Sequence, residues 1–162
     1  MSIIVKLTEK EFISASIVII FSKLFFRFTI GLILLMEISN TVINFDIVKS
    51  NYFEALTSLS FFLIPALIYY FLIKRSYAQT PRVSELIEYQ FKQEMLHIKG
   101  ESFVTQLSWV KIPKVKLTKN WLLIFQNQQT ANAIPRNKLT EATIEQLKII
   151  LKNNQVKNNL PS

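Results

Sequence analysis

Residues 53–73 read FEALTSLSFFLIPALIYYFLI, 21 residues in which Glu54 is the only charge. About 20 such residues wound as a helix cross a ~30 Å hydrocarbon core. A second apolar run, centred near Leu32, precedes this one, and only the short polar stretch 44–51 separates the two. Two apolar helices joined so closely predict a transmembrane hairpin over residues 24–75. Pro65 is compatible with a membrane helix, where neighbours and local bending take up the freed carbonyl. Tyr69 and Tyr70, then Lys74 and Arg75, close the run as an interfacial anchor followed by a cytoplasmic flank.

The start of the first span is less sharply marked. Ile3, Val5 and Leu7 alternate with Ile4 and Lys6 as a strand would, and Thr8-Glu9-Lys10-Glu11 is a Thr-x-x-Glu capping box that predicts a helix from Thr8. That helix is expected to run through Phe12 and Ile13 to Lys23 and Arg27, its first part along the membrane surface. Were residues 17–36 the span, Lys23 and Arg27 would sit in hydrocarbon at ~2.5–3.5 kcal/mol each, so entry near residues 25–28 is expected. In that register Glu37 lies near mid-membrane, with Asn40 or Thr41 and Asn44 following at helical spacing. Such a stripe is either a proton- or ion-sensitive site or a polar seam between helices. The alternative is a shorter span with Glu37 at the outer interface.

Lys6, Lys10, Lys23 and Arg27 flank the first span, and Lys74, Arg75 and Arg82 follow the second, whereas the connector holds only Asp46 and Lys49. The positive-inside rule then predicts both termini in the cytoplasm. No cleavable signal peptide is apparent, since the first run lacks a small-residue cleavage site.

Charge separates the two halves of the chain. Residues 1–80 carry seven Lys/Arg against five Asp/Glu and residues 81–162 carry twelve against six, so most of the net charge of +8 lies in the half without spans. Beyond Pro81 short alternating segments predict a small antiparallel sheet of three or four strands. Ile87, Tyr89 and Phe91 open it; Gly100 is expected to supply a positive φ in a turn before residues 103–109. Val115 and Leu117 lead through a Lys119-Asn120 turn, with Asn taken as left-handed, into residues 121–125. Residues 126–132 read as a polar turn region. After Ala133-Ile134-Pro135 a final helix is expected, capped by Thr140, with Ile144, Leu147, Ile150 and Leu151 on one face and a frayed tail over 153–162. The implied organisation is a strand and juxtamembrane helix (1–23), the hairpin (24–75), a cytoplasmic domain (76–152) and the tail (153–162).

This succession resembles the bacterial YcxB-like membrane proteins. The residues that carry the likeness are Tyr89-Gln90-Phe91, Leu107-Ser108-Trp109-Val110-Lys111-Ile112-Pro113-Lys114-Val115, Trp121-Leu122-Leu123-Ile124-Phe125 and Ile134-Pro135-Arg136, with Leu139 where an aromatic is expected. The resemblance implies an α+β membrane protein whose C-terminal part is a small pleckstrin-homology-like (PH-like) antiparallel β domain closed by its terminal helix. It implies no activity and no catalytic residue. On that fold a lone cytoplasmic strand at residues 3–7 would lack ladder partners, so it is expected to join an edge of the C-terminal sheet.

The chemical inventory is thin. One histidine, one aspartate, two glycines and no cysteine leave no phosphate loop, no metal-spaced ligand set and no nucleophile triad, so no catalytic residue, metal or cofactor is expected. His97 lies between Leu96 and Ile98 as a structural strand residue would. Trp109 and Trp121, with Tyr89, Phe91, Phe103 and Phe125, read as sheet core rather than as a base-stacking platform.

The basic stretch is the sharper signal. Between Glu101 and Glu141 there is no acid, while Lys111, Lys114, Lys116, Lys119, Arg136 and Lys138 contribute six cations. Beneath an anionic leaflet each is worth ~1 kcal/mol near the surface. The plain alternative is a solvated sheet face. The expectation is therefore a non-enzymatic interaction module that docks anionic lipid or a partner protein. The rival is a small transport, ion-handling or immunity protein working through Glu37, Asn40 and Asn44. The bilayer, anionic headgroups, a partner membrane or cytoplasmic protein and a second copy of the chain are the partners in view; nucleic acid is not.

Overall fold

Thr8 begins the first helix for a local reason. In the computed structural model, which describes residues 1–43 and 52–161, the Thr8 hydroxyl accepts the Glu11 N–H at 3.3 Å. The Glu11 carboxylate in turn accepts the Thr8 N–H at 2.9 Å, closing the capping box at the head of α1 (Glu9–Phe21). The helix does not continue to Arg27 as its apolar pattern suggests. At Ser22 the hydroxyl donates to the Ile19 carbonyl at 2.7 Å, and the chain restarts after Lys23 as α2 (Leu24–Ile43). A serine bonding back into its own turn competes with the helical ladder, which accounts for the break. Among the described residues α2 is the one helix long and apolar enough to cross a membrane, and none of its residues is buried. The connector 44–51, and Asn44 with it, lies outside the described residues.

The apolar run 53–73 lies within a single helix, α3 (Tyr52–Gln79), with Pro65 inside it. α3 overruns the apolar run by more than a turn, and the overrun ties it to the N-terminal segment. Lys74 pairs with Glu9 at 3.6 Å, the Tyr77 hydroxyl donates to the Leu7 carbonyl at 3.0 Å, and the Phe12 and Tyr77 rings meet at 5.6 Å. A short turn of helix, α4 (Pro81–Ser84), then leads into the strands.

Two antiparallel sheets follow, so the chain is α+β. Strands β1 (Ser2–Val5), β2 (Ile87–Phe91), β3 (Met95–Lys99) and β4 (Val104–Ser108) form a four-stranded sheet in that order. Strands β5 (Lys114–Leu117), β6 (Trp121–Phe125) and β7 (Ala131–Pro135) form a three-stranded one. The N-terminal strand does join the edge of the C-terminal sheet: Ile3 lies opposite Tyr89 and Val5 opposite Ile87, both turned into the core. The alternation of β2 and β3 places Tyr89 beside Ile98 and Phe91 beside Leu96 on the buried face.

β6 is buried along its whole length, and each of Leu122, Leu123, Ile124 and Phe125 contributes about 1.5–3 kcal/mol of burial. Helix α5 (Glu141–Asn153) starts at Thr140, whose hydroxyl accepts the Thr143 N–H at 3.1 Å, and buries Ile144, Leu147, Ile150 and Leu151. α1 also belongs to this body: Ala15 is buried, and Val18 and Ile19 pack on the same core.

Four further sequence expectations are corrected. The strands outnumber the three or four expected: β7 occupies Ala131–Pro135, where Asn132 and Pro135 disguise the alternation, and it pairs with β6 through Trp121 opposite Pro135 and Leu123 opposite Ala133. Gly100 does not have a positive φ; the turn needs glycine for space, because a Cβ there would meet the Phe103 ring and stand 2.7 Å from a Glu85 carboxylate oxygen. Asn120 is not left-handed either. Its turn is closed by Thr118, whose N–H donates to the Trp121 carbonyl at 2.8 Å and whose hydroxyl accepts the Trp121 N–H at 3.1 Å.

The tail, finally, is docked rather than frayed. Gln155 takes φ 55° and lets Val156 N–H reach back to the Leu151 carbonyl at 2.9 Å, a Schellman-type stop. Val156 and Leu160 are then buried, the Val115 N–H donates to the Lys157 carbonyl at 2.8 Å, and the Asn159 side chain bonds both backbone groups of Leu117, at 2.6 and 2.9 Å. The tail thereby satisfies the outer edge of β5.

Candidate functional site

The six cations of the basic stretch do not form one face. Lys114 and Lys116 alternate on β5 opposite Phe125 and Leu123, and the Lys114 ammonium lies 4.3 Å from the Phe125 ring centroid. Both are half-buried, so their stems cover the sheet as well as carrying charge. Lys111 sits on the single helical turn after β4, beside a groove of about 530 Å³ lined also by Gln106, Leu107 and Gln126. Lys138 is exposed in the turn before α5.

Lys119 and Arg136 are brought together. The β5–β6 turn carries Lys119, and the Arg136 N–H donates to the Asn120 carbonyl at 2.8 Å, tying the end of β7 to that turn. The Arg136 guanidinium bonds the Leu139 carbonyl at 3.3 Å and the Glu141 carboxylate at 2.7 Å, and that carboxylate is 81% exposed. Lys119, Asn120, Arg136 and Leu139 form one wall of a cleft of about 620 Å³. Lys10 and Ser14, one turn apart on α1, form the other. Lys10 was not among the expected site residues. Its position is dictated by the Thr8 cap and by the packing of α1, which brings it more than 100 residues along the chain to Lys119.

The remaining polar groups have structural roles. Glu85 accepts the Ser102 hydroxyl at 2.6 Å and the Ser102 N–H at 2.9 Å, stapling the entrance of β2 to the β3–β4 turn. Those bonds, the hydroxyl's first, hold its carboxyl below the ordinary value near 4.5, with Arg82 adding a smaller attraction. Burial pushes the Tyr89 phenol up, so it stays neutral in the core. The Trp109 indole N–H donates to the Lys92 carbonyl at 2.9 Å and its ring stacks on Phe91, the core role expected of it. His97 is half-buried on β3, opposite Gln90 and Gln106. A crevice of about 210 Å³ beneath α1, lined by Phe12, Ala15, Ile19, Tyr89 and Ala133, is smaller than the roughly 300 Å³ at which sites for drug-sized ligands begin.

Glu37 and Asn40 stand one turn apart on α2, and Asn44 lies beyond the described residues. Among the described residues no three His, Asp or Glu side chains gather as metal ligands would. No family model matches the chain, and neither a curated protein nor a solved structure does.

Proposed function

We propose that this protein crosses the bacterial cytoplasmic membrane twice, with both termini inside, and that its PH-like C-terminal domain is a non-enzymatic docking module for the anionic inner leaflet. The observation that carries this reading is the pairing of β1 with β2. A strand before both apolar helices and a strand after them share one sheet, so the chain between them must cross a membrane an even number of times. If α2 crosses outward, α3 crosses back. The domain is then bolted to the bilayer from both ends, through α1 into α2 and through the Glu9–Lys74 and Tyr77–Leu7 contacts into α3.

Three further observations support it. Two antiparallel sheets closed by a C-terminal helix agree with a PH-like domain, as the YcxB-like resemblance implies. Between Glu101 and Glu141 the domain carries six cations and no acid, on a body whose strand β2 begins a few residues after α3 ends. The sparse inventory of catalytic side chains favours binding over chemistry, as is common when a small fold offers surface rather than a site.

The test is hydrogen–deuterium exchange of the full chain in nanodiscs of neutral phosphatidylcholine and of phosphatidylcholine mixed with phosphatidylglycerol. Peptides covering residues 111–138 should exchange more slowly on the anionic discs at low salt, and the difference should vanish at high salt. Equal exchange on both discs would overturn the lipid reading and direct the search to a protein partner.

A further inference from the structure

Trp121 is 4% exposed, and its indole N–H finds no acceptor. Buried indole donors are normally satisfied, as that of Trp109 is by the Lys92 carbonyl, and an orphan one is unfavourable. Trp121 is also a lining residue of the cleft that Lys10, Ser14, Lys119 and Arg136 share. The cleft therefore combines three cations and a hydroxyl, and one of its lining residues, Trp121, keeps a buried donor without a protein acceptor. Its one lining carboxylate, Glu11, is already engaged by the Thr8 N–H and hydroxyl at 2.9 and 2.8 Å.

We infer that this cleft binds a phosphate group, presented by an anionic lipid headgroup or by a soluble phosphate compound. The inference rests on the docking reading above and names the place where docking becomes specific. Arg136 and the two lysines supply charge-assisted donors to phosphate oxygens, and the exposed Glu141 is a partner that an incoming anion replaces on the guanidinium. The site stands at the leaflet: Lys10 follows Glu9, which pairs with Lys74, the first residue after the apolar run of α3.

The chain has two tryptophans, so two indole N–H resonances report on it, one from a residue that lines the cleft and one from the core as an internal control. The full chain is placed in phosphatidylcholine nanodiscs of rising phosphatidylglycerol content, and separately in neutral micelles titrated with inorganic phosphate. The Trp121 resonance should move saturably while that of Trp109 stays. Movement with phosphatidylglycerol identifies a lipid source, and movement with inorganic phosphate a soluble one; both uphold the site. The exposed pair Lys10→Gln with Lys119→Gln should weaken binding on the order of tenfold, while Lys111→Gln with Lys138→Gln should change it by no more than about twofold. The inference is overturned if Trp121 does not move in either titration, if Trp109 moves equally, or if the two double variants weaken binding alike. Persisting salt-sensitive protection of residues 111–138 would then leave general docking standing without the cleft.

Discussion

A methyl group added at Gly100 would collide with the Phe103 ring and with Glu85, the residue that holds the β3–β4 turn through Ser102. Gly100→Ala should therefore destabilise the domain by roughly 1–3 kcal/mol, as overpacking does, and Gly100→Asn by more. Denaturant unfolding of the full chain in neutral micelles reads this. Asn tolerated better than Ala would mean that backbone conformation, not space, selects glycine. Glu85 makes a pH prediction. Its folded pKa lies below its ordinary value near 4.5, so its contribution is complete above that pH and is lost as pH falls through the depressed folded value. The melting-temperature gap between wild type and Glu85→Gln should hold from about pH 7 to 5 and close below about pH 4. A gap that widens in acid would contradict the assignment. At this scale the sequence was readable where chemistry is local. Thr8 with Glu11, and Thr140 before an apolar stripe, announce their caps within four residues. Gly100 was misread because a turn glycine has two reasons to exist, and only its neighbours in space distinguish them.

At the scale of elements, the segments that escaped sequence reading are those whose partners are remote or whose polarity hides an anchor. β7 carries Asn132 and ends at Pro135, which blurs a period of two, yet its ladder to β6 is complete. The tail looks like a solvated end until Val156 and Leu160 are seen buried and Asn159 is seen pairing with Leu117. Removing residues 158–162 should lower domain stability by about 2–4 kcal/mol through lost apolar burial and lost bonds to β5, whereas a frayed end would leave unfolding unchanged. Gln155→Gly, which relieves the left-handed backbone at the end of α5, should raise stability by roughly 0.5–1 kcal/mol in the same measurement. Equal or lower stability would contradict the Schellman-type stop. The basic site divides in the same way. Lys119 and Arg136 stand out in an acid-free stretch, but their meeting with Lys10 depends on how α1 lies across the domain, and no periodicity encodes that.

For the whole molecule, the pairing of β1 with β2 is what joins membrane and domain into one object. It makes the domain discontinuous in sequence, since residues 2–5 complete a sheet whose other strands begin at residue 87. A fragment starting near residue 78 would expose the buried faces of Tyr89 and Phe91 along an unpaired edge, so the domain needs its N-terminal strand. In the proposed topology the same pairing requires an even number of crossings, and the basic flanks assign the direction. The native chain has no cysteine, so one introduced cysteine is a unique reporter. In intact cells a membrane-impermeant maleimide should label Asn51→Cys in the connector and leave Asn127→Cys, in the β6–β7 turn, unlabelled until the membrane is opened. Labelling of Asn127→Cys from outside, or protection of Asn51→Cys in intact cells followed by labelling on lysis, would contradict a twice-crossing chain that holds its domain against the inner leaflet.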